Sequence, residues 1–178
     1  IIAQVAADSW PLVRDADELH DALLTLITLP PVPEWKEFFS QLVQVRRACE
    51  LRWGGGTFWV AAERVDTARA AHAAKDETCA AAILRGWLES SGPARASELA
   101  ARLALPRALV ESALARLETE GQVLRGQFSA EVTPGEPEWC NRRILARIHR
   151  LTLGKLRREI EPVTASDFMR YLARWQHV

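Results

Sequence analysis

The chain has 178 residues, 48% of them apolar and 26% charged, enough for one or two modest cores and too few for a large multidomain enzyme. No apolar run approaches the roughly 18 residues of a membrane-spanning helix, and the first residues lack a signal peptide's basic start, so a soluble intracellular protein is expected. The 23 basic and 23 acidic side chains cancel, but unevenly: residues 1–80 carry eight Lys and Arg against twelve Asp and Glu, residues 81–137 six against seven, and residues 138–178 nine against four.

The start at Ile1 and the end at "RWQHV" look like cuts through a longer protein. "DADELHDALLTLITL" opens the first helix, with Asp15 and Glu18 at capping-box spacing and Leu19, Ala22, Leu23, Leu26 and Ile27 on one face. His20, beside Asp21 and near Glu18, falls on its solvated side. "PEWKEFFSQLVQVRRACEL" predicts a second helix with Trp35, Phe38, Phe39, Leu42 and Val45 inward. In "RWGGGTFWVAAER", Gly54, Gly55 and Gly56 separate two aromatic-rich runs, the pattern of a hairpin. These elements read as a winged-helix-like unit over residues 1–75, with a junction near residues 72–78.

"TCAAAILRGWLESSG" spaces Ile83, Leu84, Trp87 and Leu88 as a helix ending at Gly92-Pro93. "SELAARLAL" follows with Ser97 as its expected N-cap, and Pro106 opens a third helix that ends before Gly121. "QVLRGQF" has strand composition and "TPGEP" turns the chain back, so residues 122–140 read as a hairpin. Helix, helix, helix and hairpin make residues 76–140 a second winged-helix unit. Residues 141–178 supply a basic helix and a further helix starting near Ser166, after Pro162, as the beginning of a third unit. The expected fold class is therefore mainly α with short β-hairpins (α+β), in tandem winged-helix-like modules.

Of the 23 basic residues 20 are arginine, whose planar fork matches phosphate and carboxylate alike; a high-GC genome also accounts for such a bias. In "EWCNRRILARIHR", Ile144, Ile148 and Leu151 fall on one helix face, and Arg143, Arg147 and Arg150 line the other at i, i+4, i+7. No acid lies between Trp139 and Arg158, so pairing within the helix cannot explain the ridge. Phosphate binding and pairing with distant carboxylates both remain open. The third helix of the middle unit carries Arg107 and Arg116 but also Glu111, Glu118 and Glu120, a poor surface for reading DNA bases. Arg125 beside Gly126 is the better backbone contact. Trp10, Trp139 and Trp175 have no obvious core face, and each is a candidate to stack on a base.

Catalytic signals are sparse. "LGKL" is a lone Gly-Lys and not a phosphate-binding loop, and His149 and His177 read as structural. Cys49, Cys79 and Cys140 are far apart and outside any C-x-x-C pair, so they are expected to be buried thiols and not disulfide or zinc ligands.

Three stretches carry a family resemblance: "PLVRDADELHDALL", "LARLETEGQVLRGQF" and, most specifically, "EWCNRRILARIHRLTLGKLRREIEPVTASDFMRYLARWQHV". Together they resemble the Lhr family, the large helicase-related proteins of bacteria, although Asn141 and Leu151 stand where relatives tend to have Asp and Tyr. The resemblance implies a parent with a superfamily 2 helicase core that uses ATP and magnesium to move 3′-to-5′ on single-stranded DNA, in repair, at the bacterial nucleoid in the cytoplasm. This fragment then corresponds to the start of the family's C-terminal extension, built from serial winged-helix modules. Some of those modules are similar to DNA glycosylases, but "WQHV" offers only Gln176 toward a Gln-rich catalytic motif.

Two functions compete. In one the fragment is a DNA-binding accessory module for single-stranded or tailed duplex DNA. In the other it is a scaffold that pairs with the remainder of the helicase chain or builds a homo-oligomer. The candidate nucleic-acid contacts are Arg125, Trp139, Arg142, Arg143, Arg147, Arg150, Arg157 and Arg158, and no catalytic, cofactor or metal residue is expected in the fragment.

Overall fold

Nine α-helices and five short strands make up the described residues, 1–129, 136–159 and 164–176 of a computed structural model. The first helix, α1 (Ile2–Ser9), buries only Val5 and left no pattern in the sequence. α2 (Ala16–Leu26) begins where its cap predicts: Asp15 accepts from the Glu18 backbone N–H at 2.8 Å, while Glu18 accepts from that of Arg14 at 2.7 Å. Leu19, Leu23 and Leu26 are fully buried, as the periodicity requires.

The second predicted helix is shorter than expected. After a 3-10 turn at Pro33–Trp35, α3 (Lys36–Gln44) ends before Arg46, whose φ of 60° is left-handed. Val45, expected inward, is exposed. The residues "ACEL" instead enter β1 (Ala48–Trp53), because pairing with β2 (Gly56–Ala61) buries Ala48 and satisfies the backbone without a helix. The hairpin itself forms as predicted. Gly54 and Gly55 have φ of 54° and 77°, the two positive values that a two-residue turn of this hand needs. A second 3-10 turn leads into α4 (Val65–His72), whose small buried stripe of Ala68 and Ala71 gave little periodic signal.

α5 (Glu77–Ser90) is capped by Asp76, which accepts from the Cys79 backbone N–H at 2.7 Å. The two-residue strand β3 (Ala94–Arg95), unforeseen in the sequence, precedes α6 (Ala96–Leu103). Ser97 is not the cap of α6. It lies inside the first turn and donates from its backbone and hydroxyl to Glu136 at 3.0 and 2.8 Å, while Glu98 accepts from the backbone N–H of Arg95 at 3.1 Å. α7 (Arg107–Thr119) and β4 (Val123–Gly126) follow as expected, and β5 (Glu138–Asn141) closes an antiparallel sheet of order β3-β5-β4. The Thr133, Pro134 and Gly135 of the expected turn lie outside the described residues, as do Pro162 and His177. α8 (Arg142–Glu159) and α9 (Ala165–Trp175) are the last described elements, α9 starting beside Ser166 as expected, with Thr164 as its cap.

The architecture is mainly helical with two small antiparallel sheets. One hydrophobic core runs from Leu19 through Trp87 to Trp139, so a boundary near residue 75 separates elements that share a core. The indole N–H of Trp87 seals it by donating to the Thr28 carbonyl at 3.1 Å. A smaller cluster of Val5, Cys140, Ile144 and Ile148 fastens α1 to α8. Among the described residues no helix is long and apolar enough to cross a membrane.

Candidate nucleic-acid interface

The basic helix is held at its start and at one face. The Arg142 backbone N–H donates to the Gln122 carbonyl at 3.0 Å, and Asn141 accepts from the Arg143 N–H at 2.8 Å through its side-chain oxygen. Ile144 and Ile148 then bury the inner face of α8, which leaves Arg143, Arg147 and Arg150 on the outer one with Arg157 and Arg158 continuing the line. α8 holds seven basic residues and a single acid, Glu159.

Only part of that charge is used within the fold. The Arg147 guanidinium meets the Asp8 carboxylate of α1 at 2.7 Å, and Lys155 lies 3.7 Å from Glu159. Among the described residues no carboxylate comes within ion-pairing distance of Arg142, Arg143, Arg150, Arg157 or Arg158, all of them exposed. Arg142 and Arg143 flank a cleft of about 270 Å³ at the start of α8, with Gly121, Gln122 and Glu89 on its other walls.

α7 behaves differently. Arg107 is engaged by Glu111 at 2.7 Å and Glu136 at 3.3 Å, and Arg116 by Glu120 at 3.0 Å and the Thr78 hydroxyl at 2.7 Å. Both arginines of that helix are thus neutralised locally, which leaves little positive potential for phosphates.

Arg125 is exposed and sits over the Trp139 ring, 5.7 Å from its centroid, with Glu118 at 3.7 Å. Trp139 is only 6% exposed, so its ring supports Arg125 from below and has no open face for a base. Trp10 is half-buried, stacked on Trp35 and tilted against Trp87, whereas Trp175 is open to solvent. The neighbouring Glu138 is buried. Burial pushes its carboxyl upward, but hydrogen bonds from the Ser129 side chain and backbone and from the Phe128 N–H, with Arg95 nearby, outweigh this and hold it below the ordinary range. It ties Phe128 and Ser129, just beyond the end of β4, to β5. Cys140 is buried and its thiol is pushed up to about 12, mainly by that burial, while Cys49 and Cys79 are half-buried.

Several features escaped sequence reasoning. His20 is buried, not solvated: its Nε2 faces Glu63 at 3.1 Å and its Nδ1 faces Arg47 at 3.0 Å, with Asp17 pairing Arg47 in turn. A donor at Arg47 makes Nδ1 the acceptor and places the proton on Nε2, facing the Glu63 carboxylate. An apolar groove of about 660 Å³ lies between α3 and the first hairpin, with Phe39 stacked on Trp59 in its wall. Its lining offers Lys36 alone to a phosphate. Neither feature has a signal in a single sequence, since each depends on contacts between distant segments.

Over 145 residues, 75% of the chain, the sequence is 28% identical to a protein of Mycolicibacterium smegmatis named "Lhr helicase/ probable uracil glycosylase". The chain is similar to one stretch of a helicase-related protein. It spans about 10% of that relative's length. No family model matches the chain.

Among the described residues there is no cradle for the ATP and magnesium that the family resemblance implies for the parent. Gly154 and Lys155 lie inside α8, where backbone N–H groups are committed to the helix and cannot cradle phosphates. Among the described residues no three His, Cys, Asp or Glu side chains gather to hold a metal ion.

Proposed function

We propose that this chain is a nucleic-acid-binding accessory module of an Lhr-type ATP-dependent DNA helicase, part of a C-terminal extension and working beside a motor located elsewhere in the parent. The exposed guanidinium groups of Arg143 and Arg150, unpaired among the described residues, carry the reading. A helix that concentrates seven cations and pairs only Arg147 and Lys155 of them among the described residues has a long-range attraction for a polyanion, and arginine forks suit phosphate oxygens. Similarity to a helicase-related protein supplies the context. In this reading residues 76–140 form a winged helix whose recognition helix α7 is silent and whose hairpin contributes Arg125 as a backbone contact. Arg142, Arg157 and Arg158 extend the phosphate track, and Trp139 acts by positioning Arg125. Single-stranded or tailed DNA and the rest of the helicase chain are the partners, in the bacterial cytoplasm, in a repair setting.

The Arg147–Asp8 pair favours the second reading at one position, because it joins α8 to α1 within the fold. The two roles therefore divide along the ridge: Arg147 fixes the helix, and its neighbours face outward.

The test is a salt titration of binding to single-stranded DNA. Each neutralised phosphate releases counterions, so the double variant Arg143→Gln/Arg150→Gln should flatten the slope of log K against log salt by roughly 1.4, about 0.7 per contact. An unchanged slope with a lowered melting temperature would overturn the phosphate reading and leave the scaffold one.

A further inference from the structure

The chain holds 13 Phe, Trp and Tyr side chains, and the only exposed ones are Phe168, Tyr171 and Trp175, all on α9. Their relative exposures are 50%, 60% and 68%, whereas the other tryptophans are buried or half-buried. They stand at i, i+3 and i+7, on one side of the helix. At about 1.5 Å per residue the outer two are about 10 Å apart along the axis, a span of roughly three bases at the 3.4 Å stacking repeat.

The surroundings select the occupant. α8 and the described part of α9 together carry nine Lys and Arg against two acids, Glu159 and Asp167. Arg170 is paired with Asp167 at 3.3 Å, and Arg174 has no carboxylate within ion-pairing distance among the described residues. An apolar face awaiting another protein element has no need of this excess of one sign. Flat rings in a segment with this excess of cations suit a single strand, whose bases offer π-faces and whose phosphates offer charge.

We infer that α9 is a stacking platform for the bases of single-stranded nucleic acid, with Phe168, Tyr171 and Trp175 as the contacts. The inference rests on the proposed phosphate track of α8 and adds a base-dependent component to it. The phosphates are held by guanidinium groups, the bases lie against the rings, and duplex DNA, whose bases are already stacked on one another, is the poorer ligand at this helix.

The experiment compares the full 178-residue chain binding to oligothymidylate with its binding to an abasic oligomer of equal length and charge. The expected result is a preference for oligothymidylate of roughly tenfold or more, lost in the variant Phe168→Ala/Tyr171→Ala/Trp175→Ala. That variant should keep the wild-type salt slope, because the phosphates are untouched. Oligouridylate run alongside distinguishes ribose from deoxyribose strands, and a preference over the abasic chain in either sugar supports the platform. Equal wild-type affinity for oligothymidylate and the abasic chain, with a normal salt slope, overturns the platform and leaves the phosphate track standing. Full retention of the base preference in the triple variant also overturns it, and if sedimentation then shows a changed oligomeric state the face is a protein interface. Binding to neither oligomer removes the phosphate reading and this inference together.

Discussion

The bare α-carbon of Gly86 in α5 faces the carbonyl of Thr25 in α2 so closely that a Cβ on it would stand 1.9 Å from that oxygen. The neighbouring Thr25 carbonyl carbon and Leu26 α-carbon would lie at 2.8 and 3.4 Å, so the obstruction is the backbone of α2 itself. Gly86→Ala must push two core helices apart, and the lost packing outweighs alanine's better helix propensity of about 1 kcal/mol. The expected loss is about 3 kcal/mol or more, measured by urea denaturation. A loss under about 1 kcal/mol would show that the two helices separate freely, contrary to a shared core.

Asp8→Asn removes the carboxylate that occupies Arg147. The pair is partly exposed, at 37% and 44% for the two side chains, so the stability cost should stay below about 1 kcal/mol. Arg147 then joins the unpaired ridge. Binding to single-stranded DNA should strengthen, and its salt slope should steepen by up to roughly 0.7. Weaker binding in this variant would show that the pair orients α8 for its ligand.

His72 lies between Trp53, stacked at 4.2 Å, and Phe58 at 5.6 Å; its buried ring nitrogens make no hydrogen bond of good geometry among the described residues, and the nearby Ala104 backbone only partly opposes the loss of charge. Burial, with the charge of Lys75 adding to it, pushes its pKa from 6.5 down to about 4. The unfolded chain takes up a proton near pH 6.5 that the folded chain refuses until about pH 4. The folded protein is therefore at full stability above that upper value and loses stability as pH falls through the window, by about 3 kcal/mol in all. His72→Phe should keep the ring stacking and flatten the stability curve between pH 6.5 and 4. An equally steep curve in the variant would assign the acid sensitivity to other groups.

Arg46 holds a left-handed backbone at the end of α3, with φ of 60°, and its exposed side chain makes no ion pair among the described residues. Glycine adopts this conformation without the Cβ penalty, at the cost of more freedom in the unfolded chain. Arg46→Gly should raise stability by about 0.5 to 1 kcal/mol, read as a higher melting temperature. A lower one would mean that the arginine stem packs usefully on the surface.

The sequence alone determined what depends on neighbours within a turn or two. Asp15 before Glu18, the paired glycines 54 and 55, and the seven-residue repeat of Arg143, Arg147 and Arg150 each have a local geometric consequence, and the structure contains all three. Helix periodicity also placed Leu19, Leu23 and Leu26 inward, because one buried face leaves a 3.6-residue imprint. Tertiary structure decided everything that needed a distant partner. Glu136 captures Ser97 from 39 residues away and displaces it from the expected cap. Glu63 and Arg47 make burial of His20 tolerable, which its own helix pattern did not foretell. Strand pairing with β2 took Ala48 to Leu51 out of a helix that their propensity allowed, since a paired backbone edge outweighs a few tenths of a kcal/mol per residue. Most tellingly for the site, Asp8 reaches Arg147 across 139 residues, so the sequence shows an unbroken arginine ridge and only the fold shows which of its members are free.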